Sequence, residues 1–161
     1  MAKGYFEVLK ASMNMLVAIL LLFVFSGSAL AFSPAEVYRC TNEIRKELHV
    51  PRLRNNRLLQ KAAMMKLLDM ERYGYWSHEN PVTHEYAWPL MDRVGYVYLE
   101  AGENLGIGFD TAKDVCDAWK QSPTHLENIV STRYRDVGIA IKLVDLGKKK
   151  GVLVVQIFGR R

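Results

Sequence analysis

The feature that most constrains the fold is a pair of apolar segments near the C-terminus. Residues 137–143 alternate between large apolar and other side chains, and residues 152–158 are almost continuously apolar. Alternation is typical of a strand that buries one face, and a short continuous run is typical of a strand covered on both faces. The turn from Gly147 to Gly151 joins the two segments. The sequence therefore predicts an antiparallel hairpin whose second strand lies inside a sheet.

Helical patterns precede this hairpin. Their predicted ranges run from Ser33 to before Pro51, from about Asn56 to Gly74, and from Thr111 to Ser122. The first begins with a capping box and a proline at the first helical position, and the second ends at a glycine. A short helical turn at 89–94 and a strand at 96–103 complete the pattern. Helices on both sides of a small, mainly antiparallel sheet predict one α/β domain, a three-layer α-β-α sandwich.

The first 31 residues have a different character. Lys3 and Lys10 precede an apolar run, Met15 to Phe25, and small residues then lead to Ala31. This layout is typical of a secretory signal peptide, and the run is shorter than the ~20 residues that a spanning helix needs. We predict a signal peptide over residues 1–31, a domain over residues 32–161, and a secreted or periplasmic location. An uncleaved membrane anchor is the alternative.

The formal net charge of the 161 residues is +5. In an exported protein this charge favours contact with anionic envelope polymers, lipid headgroups or cell surfaces. The basic run Lys148 to Lys150 lies between two glycines, so we interpret it as a solvated turn and expect no nucleic-acid partner. We expect a monomer.

Both cysteines, Cys40 and Cys116, lie in the predicted exported part. An oxidising compartment permits a disulfide between them. Two buried thiols that act as small hydrophobic side chains are the alternative, because the sequence does not give the Cα separation that a bridge requires.

Two of the four histidines are placed where function is common. His78 lies in the stretch YWSHENP and His125 in SPTH, each in a loop or helix start beside glycine or proline. His49 follows a predicted helix and His84 lies in a polar loop, so neither is expected to be functional. The HExxH zinc motif and the GxSxG nucleophile motif do not occur. Glu103, in AGENLGIG, lies in a predicted turn, where its carboxylate can be held by backbone N–H groups or can reach a neighbouring histidine. Spacing alone favours the structural role.

Four segments together resemble a known family. GYWSHENP, DRVGY, AGENLGIG and AWKQSPTHLENIVSTRYRDVGIAI occur in this order. The chain resembles, from about Tyr38 to Phe158, the bacterial branch of the CAP superfamily, named for cysteine-rich secretory proteins, antigen 5 and plant pathogenesis-related proteins. The resemblance implies a three-layer α-β-α sandwich, the fold that the residue patterns predict independently.

The resemblance also implies a site. In the superfamily the residues at the positions of His78, Glu103 and His125 converge in a central cleft, and members bind divalent metal, often zinc, through the paired histidines. Eukaryotic members carry a second glutamate three residues after the helix tryptophan, where this chain has Ser122. Two neutral imidazoles and one carboxylate form a familiar zinc ligand set. A helix N-terminus favours neutral His125, and Glu103 either binds metal or orients a histidine.

The leading hypothesis is a secreted, non-catalytic protein whose cleft binds a divalent metal and a lipid, cell-envelope or cell-surface ligand. A metal-dependent extracellular hydrolase, protease-like, with Glu103 as general base, is the alternative. An interaction module whose cleft is only structural is a third possibility.

Overall fold

A computed structural model describes residues 32–161; the predicted signal peptide over residues 1–31 lies outside the described residues. The elements in chain order are α1 (Pro34–Glu47), β1 (Arg54–Asn55), α2 (Arg57–Tyr73), α3 (Trp88–Arg93), β2 (Glu100–Ile107), α4 (Ala112–Gln121), α5 (Pro123–Val130), β3 (Asp136–Asp145) and β4 (Lys150–Arg160). Within this part of the chain, no helix is long and apolar enough to cross a membrane.

The sheet has four strands in the order β1-β3-β4-β2. β1 runs parallel to β3, whereas β3 and β2 each pair antiparallel with β4. The predicted hairpin is confirmed, with Ile141 opposite Val154. β4 is paired on both edges and buried on both faces, which explains its continuous apolar run.

Helices cover both faces of the sheet. Leu153, Val155 and Ile157 of β4 belong to a core shared with α2 and α3, and Val154 and Phe158 belong to a second core shared with α1, α4 and α5. Alternate residues of one strand thus enter different cores, as the period of two requires. The three-layer α-β-α sandwich predicted from the sequence is confirmed.

Helix α2 packs closely against β3. A Cβ atom at Gly138 would lie 2.1 Å from the backbone nitrogen of Gln60, so only glycine permits this approach. Asn56 caps the N-terminus of α2, where its side chain accepts hydrogen bonds from the N–H groups of Leu58 and Leu59. Gly74, in the left-handed conformation (φ 65°), caps the C-terminus. The close packing fixes the place from which the YWSHENP loop departs.

The strand predicted over 96–103 was wrong in its bounds. Pairing with β4 begins at Glu100 and continues to Ile107. Tyr96 is instead buried under the sheet, where its hydroxyl donates to Asp136 Oδ2 at 2.9 Å and its ring occupies the space beside Gly159. Glu103 consequently lies within a strand, and its interpretation as a turn residue was wrong.

Cys40 of α1 and Cys116 of α4 form a disulfide in the structure. Their Cα atoms are 6.2 Å apart, within the range that a bridge needs. The bond ties α1 to α4 in the helical layer that carries α5, so it braces the side of the molecule on which His125 lies.

Candidate functional site

A cavity of 310 Å³ opens beside the edge strand β2, between the loop after α2 and the start of α5. Its lining consists of Trp76, Ser77, His78, Leu105, Thr124 and His125. The two histidines that the sequence singled out therefore share one cleft, although they come from opposite helical layers.

His78 is held by Glu103. Its Nδ1 lies 2.6 Å from Glu103 Oε1, and the carboxylate side chain is only 3% exposed whereas the imidazole is 54% exposed. A buried carboxylate that accepts from Nδ1–H fixes the ring orientation and leaves the Nε2 lone pair free. The contact corresponds to the orienting role that the sequence analysis offered as one of two roles for Glu103.

His125 lies in the first turn of α5, which begins with Pro123 after Ser122. Its Nδ1 is 2.9 Å from Ser122 Oγ. Burial lowers the pKa of His125 below its ordinary value, and the neighbouring His78 lowers it further. The ring is therefore neutral near pH 7, as expected, and burial is the larger of these two causes.

Asn104 is a site residue that the sequence analysis missed. It follows Glu103 on β2 and is completely buried on the opposite face of the sheet. Its Nδ2 donates to the backbone carbonyl of His125 at 3.2 Å, and its Oδ1 accepts from Asn128 Nδ2 at 3.0 Å. Adjacent residues of one strand thus each hold one histidine. Glu103 and Asn104 are adjacent in the sequence, but their two separate roles become apparent only when both are known to lie on a strand.

A buried lysine under the His78 loop was also missed. Lys66 of α2 is 1% exposed, and its Nζ lies 2.6 Å from the carbonyl oxygen of His78. In the sequence it interrupts the apolar face of a helix without any indication of its partner.

The other two histidines do not line the cavity. His84 Nδ1 lies 2.8 Å from Glu79 Oε1, but this imidazole is 76% exposed. His49 is exposed just after α1 and has a positive φ of 57°. The basic turn does reach the cleft rim, because Lys149 Nζ lies 4.0 Å above the Trp76 ring.

The donor set suits a cation bound by imidazoles. Among residues 32–161, no group of three His, Cys, Asp or Glu side chains is arranged as a metal cluster. His78 and His125 use Nδ1 for protein contacts, and neither Nε2 has a hydrogen-bond partner in this part of the chain. The Nε2 atoms of the two histidines are therefore uncommitted, and imidazole nitrogens with a carboxylate behind one ring are ligand types that zinc takes.

Comparisons with known proteins agree with this fold. The Bacillus subtilis protein YkwD is 31% identical over 104 residues, which are 65% of this chain and 40% of that protein. The solved structure of an extracellular protein containing an SCP domain from Bacillus anthracis has a TM-score of 0.68 at 23% identity, covering 79% of this chain and 40% of the other. The solved structure of an outer surface protein from Borrelia burgdorferi has a TM-score of 0.67 at 20% identity, covering 78% of this chain and 90% of the other.

The likeness in sequence covers most of the described domain, although the chain spans only 40% of the curated relative that it matches. The model of the cysteine-rich secretory protein family matches residues 38–158. These bounds agree with the extent of the four motifs and include His78, Glu103 and His125. The chain therefore belongs to the cysteine-rich secretory protein family, the CAP superfamily whose bacterial members its motifs resemble.

Proposed function

We propose that this chain is an extracytoplasmic, non-catalytic binding protein whose cleft holds a divalent cation, with zinc the expected ion, between His78 and His125. One observation carries the proposal: both rings are held at Nδ1, by Glu103 at 2.6 Å and by Ser122 at 2.9 Å. The carboxylate of Glu103 accepts from Nδ1–H of His78 and leaves its Nε2 lone pair free; His125 presents an Nε2 lone pair to the same cleft in the tautomer whose Nδ1–H donates to Ser122 Oγ. The extracellular and outer-surface descriptions of the relatives support the location.

The electrostatics support cation binding. Imidazole ligates metal in its neutral form, and the pKa of His125 lies below its ordinary value. Zinc held by two protein nitrogens retains positions for water or for a group of a bound ligand. Lys149 at the rim and the net charge of +5 favour an anionic lipid, envelope or cell-surface ligand at those positions.

The hydrolase alternative is less well supported. A general base must reach the water that it activates, but Glu103 is buried and already accepts from His78. Beside His125 lies the hydroxyl of Ser122 where eukaryotic relatives have a carboxylate. We therefore expect binding without turnover.

Calorimetric titration of the purified chain with zinc tests the proposal. We expect one zinc per chain, with binding lost in His78→Ala and in His125→Ala. His84→Ala is the matched control, because its imidazole also contacts a glutamate but lies outside the cleft. Absence of zinc binding by the parent chain, or equal binding by all four proteins, would contradict the proposal.

Hydrolysis is measured separately, with peptide and ester substrates in the presence of zinc. Turnover that is abolished by Glu103→Gln would favour the hydrolase over the binding protein.

A further inference from the structure

A buried ammonium group lies directly beneath the His78 loop. Lys66 is 1% exposed, and lysine is almost never fully buried without partners. Its Nζ donates to the carbonyl oxygen of His78 at 2.6 Å and to Tyr75 Oη at 2.9 Å. Both acceptors belong to the loop that begins after α2, so the lysine binds the backbone of the histidine whose ring binds Glu103.

The surroundings of Lys66 compensate its charge. Burial lowers the pKa of Lys66, whereas the carboxylates of Glu103 and Asp69 oppose that fall. Asp69 accepts a hydrogen bond from the hydroxyl of Tyr75, which also accepts from Lys66. Hydrogen bonds to neutral acceptors and nearby carboxylates thus offset the cost of burying this charge.

The same network reaches the far end of the loop. Asn80 is completely buried and donates through Nδ2 to Asp69 Oδ2 at 3.0 Å. Its Oδ1 accepts from the backbone N–H of Val82 at 2.8 Å and thereby closes the turn. Side chains of α2 therefore hold the loop at Tyr75, His78 and Asn80, and none of these α2 side chains lines the cavity.

We propose that Lys66 is a positioning residue for His78. Lys66 does not line the cavity. It fixes the position of the His78 backbone through the carbonyl oxygen, while Glu103 fixes the orientation of the His78 ring. Both contacts are needed because a carbonyl contact alone leaves the ring free to rotate, and a ring contact alone leaves the exposed loop free to move. The metal readout of this proposal rests on the proposed cation site, but the ring geometry can be measured without metal.

The test compares Lys66→Met with Leu67→Ala in the full chain. Methionine fills the space of the lysine stem without a donor. Leu67 is a neighbouring buried residue of α2 whose truncation destabilises the core without removing a hydrogen bond to the loop. Two quantities are measured: zinc affinity, and the imidazole nitrogen signals of His78 and His125 by NMR in metal-free protein at a pH where both rings are neutral.

In Lys66→Met we expect His78 to lose its fixed Nδ1–H tautomer while the His125 signals stay unchanged, and zinc affinity to fall about 10- to 100-fold. Leu67→Ala should keep the parent values of both quantities. Parent-like His78 signals in folded Lys66→Met would overturn the proposal, as would the same His78 change in Leu67→Ala.

Tyr75→Phe provides a second variant, should Lys66→Met not fold. It removes one acceptor of the ammonium and one of the donors to Asp69, so we expect the His78 signals to shift. Unchanged signals in this variant would overturn the proposal. If the parent binds no zinc but Lys66→Met alters the His78 tautomer, the positioning role stands and the proposed cation site fails.

Discussion

Glu103 and Asn104 are neighbours on β2 and point to opposite faces of the sheet, where each makes a contact that holds one histidine of the cleft. Glu103 holds the ring of His78, and Asn104 holds the backbone of His125. One edge strand therefore sets the distance between residues from two helical layers. A shift of β2 by one residue in its pairing with β4 would turn both side chains to the opposite face and break both contacts.

Replacement of Glu103 by glutamine tests the ring contact. The amide keeps the shape of the carboxylate but removes its charge, so it holds the Nδ1–H tautomer of His78 more weakly. We expect zinc affinity in calorimetry to fall about 10- to 100-fold. Glu79→Gln is the matched control, since Glu79 makes the same contact with exposed His84. An equal loss of affinity in the two variants would show that the effect is not specific to the cleft.

Replacement of Asn104 by alanine tests the opposite face. It removes the donor to the His125 carbonyl and the acceptor for Asn128, both at a completely buried position. Each buried polar group left unsatisfied costs about 1–3 kcal/mol, so the free energy of unfolding should fall by roughly 2–4 kcal/mol. Urea denaturation measures it, with exposed Asn55→Ala as control. A change as small as in the control would mean that water replaces both contacts.

The sequence predicted the fold better than the site. The hairpin and α2 follow from local patterns, namely a period of two, a capping asparagine and a terminal glycine. The start of β2 does not, because Tyr96 has the aromatic character of a strand residue but is drawn under the sheet by Asp136. The two residues of β1 are too few to form a pattern.

At the site, His78 and His125 stood out as titratable side chains in loop or helix-start positions. Lys66 and Asn104 did not, because their roles depend on partners that the folded chain brings from distant positions. Nothing near Lys66 in the sequence indicates why a lysine lies on an apolar helix face, and the neighbours of Asn104 do not indicate which group its amide contacts. The roles of Lys66 and Asn104 become apparent only when α2 and α5 are packed against the sheet.

Removal of the disulfide should destabilise the domain. The bridge spans 76 positions of the chain, and a loop of this length corresponds to about 4 kcal/mol of unfolding free energy in the chain-entropy description. We expect Cys40→Ala combined with Cys116→Ala to show a loss of this order in urea denaturation. Adding a reductant should reproduce the loss in the parent and have no effect in the double variant. A midpoint of the parent that does not change with reductant would contradict this assignment.

Arg45 should be the most sensitive basic residue of α1. It is completely buried, and its guanidinium donates to the carbonyls of Pro51 at 2.6 Å, Ile129 at 2.5 Å and Ser131 at 3.0 Å. It thus satisfies carbonyl acceptors at the C-terminus of α5, and its positive charge stabilises the negative end of that helix dipole. Arg45→Met should cost on the order of 3–5 kcal/mol in denaturant unfolding. Exposed Arg39→Met should change stability by less than about 0.5 kcal/mol.

The depressed pKa of His125 predicts how stability changes with pH in the metal-free protein. Burial lowers this pKa below the ordinary 6.5, so between the two values the unfolded chain binds more protons than the folded chain. The contribution of His125 to stability is complete above about pH 6.5 and is lost as the pH falls towards the folded-state pKa. Urea midpoints measured in a chelator should therefore fall less steeply with acid in His125→Gln than in the parent. A parent-like slope in His125→Gln would mean that another group causes the acid sensitivity.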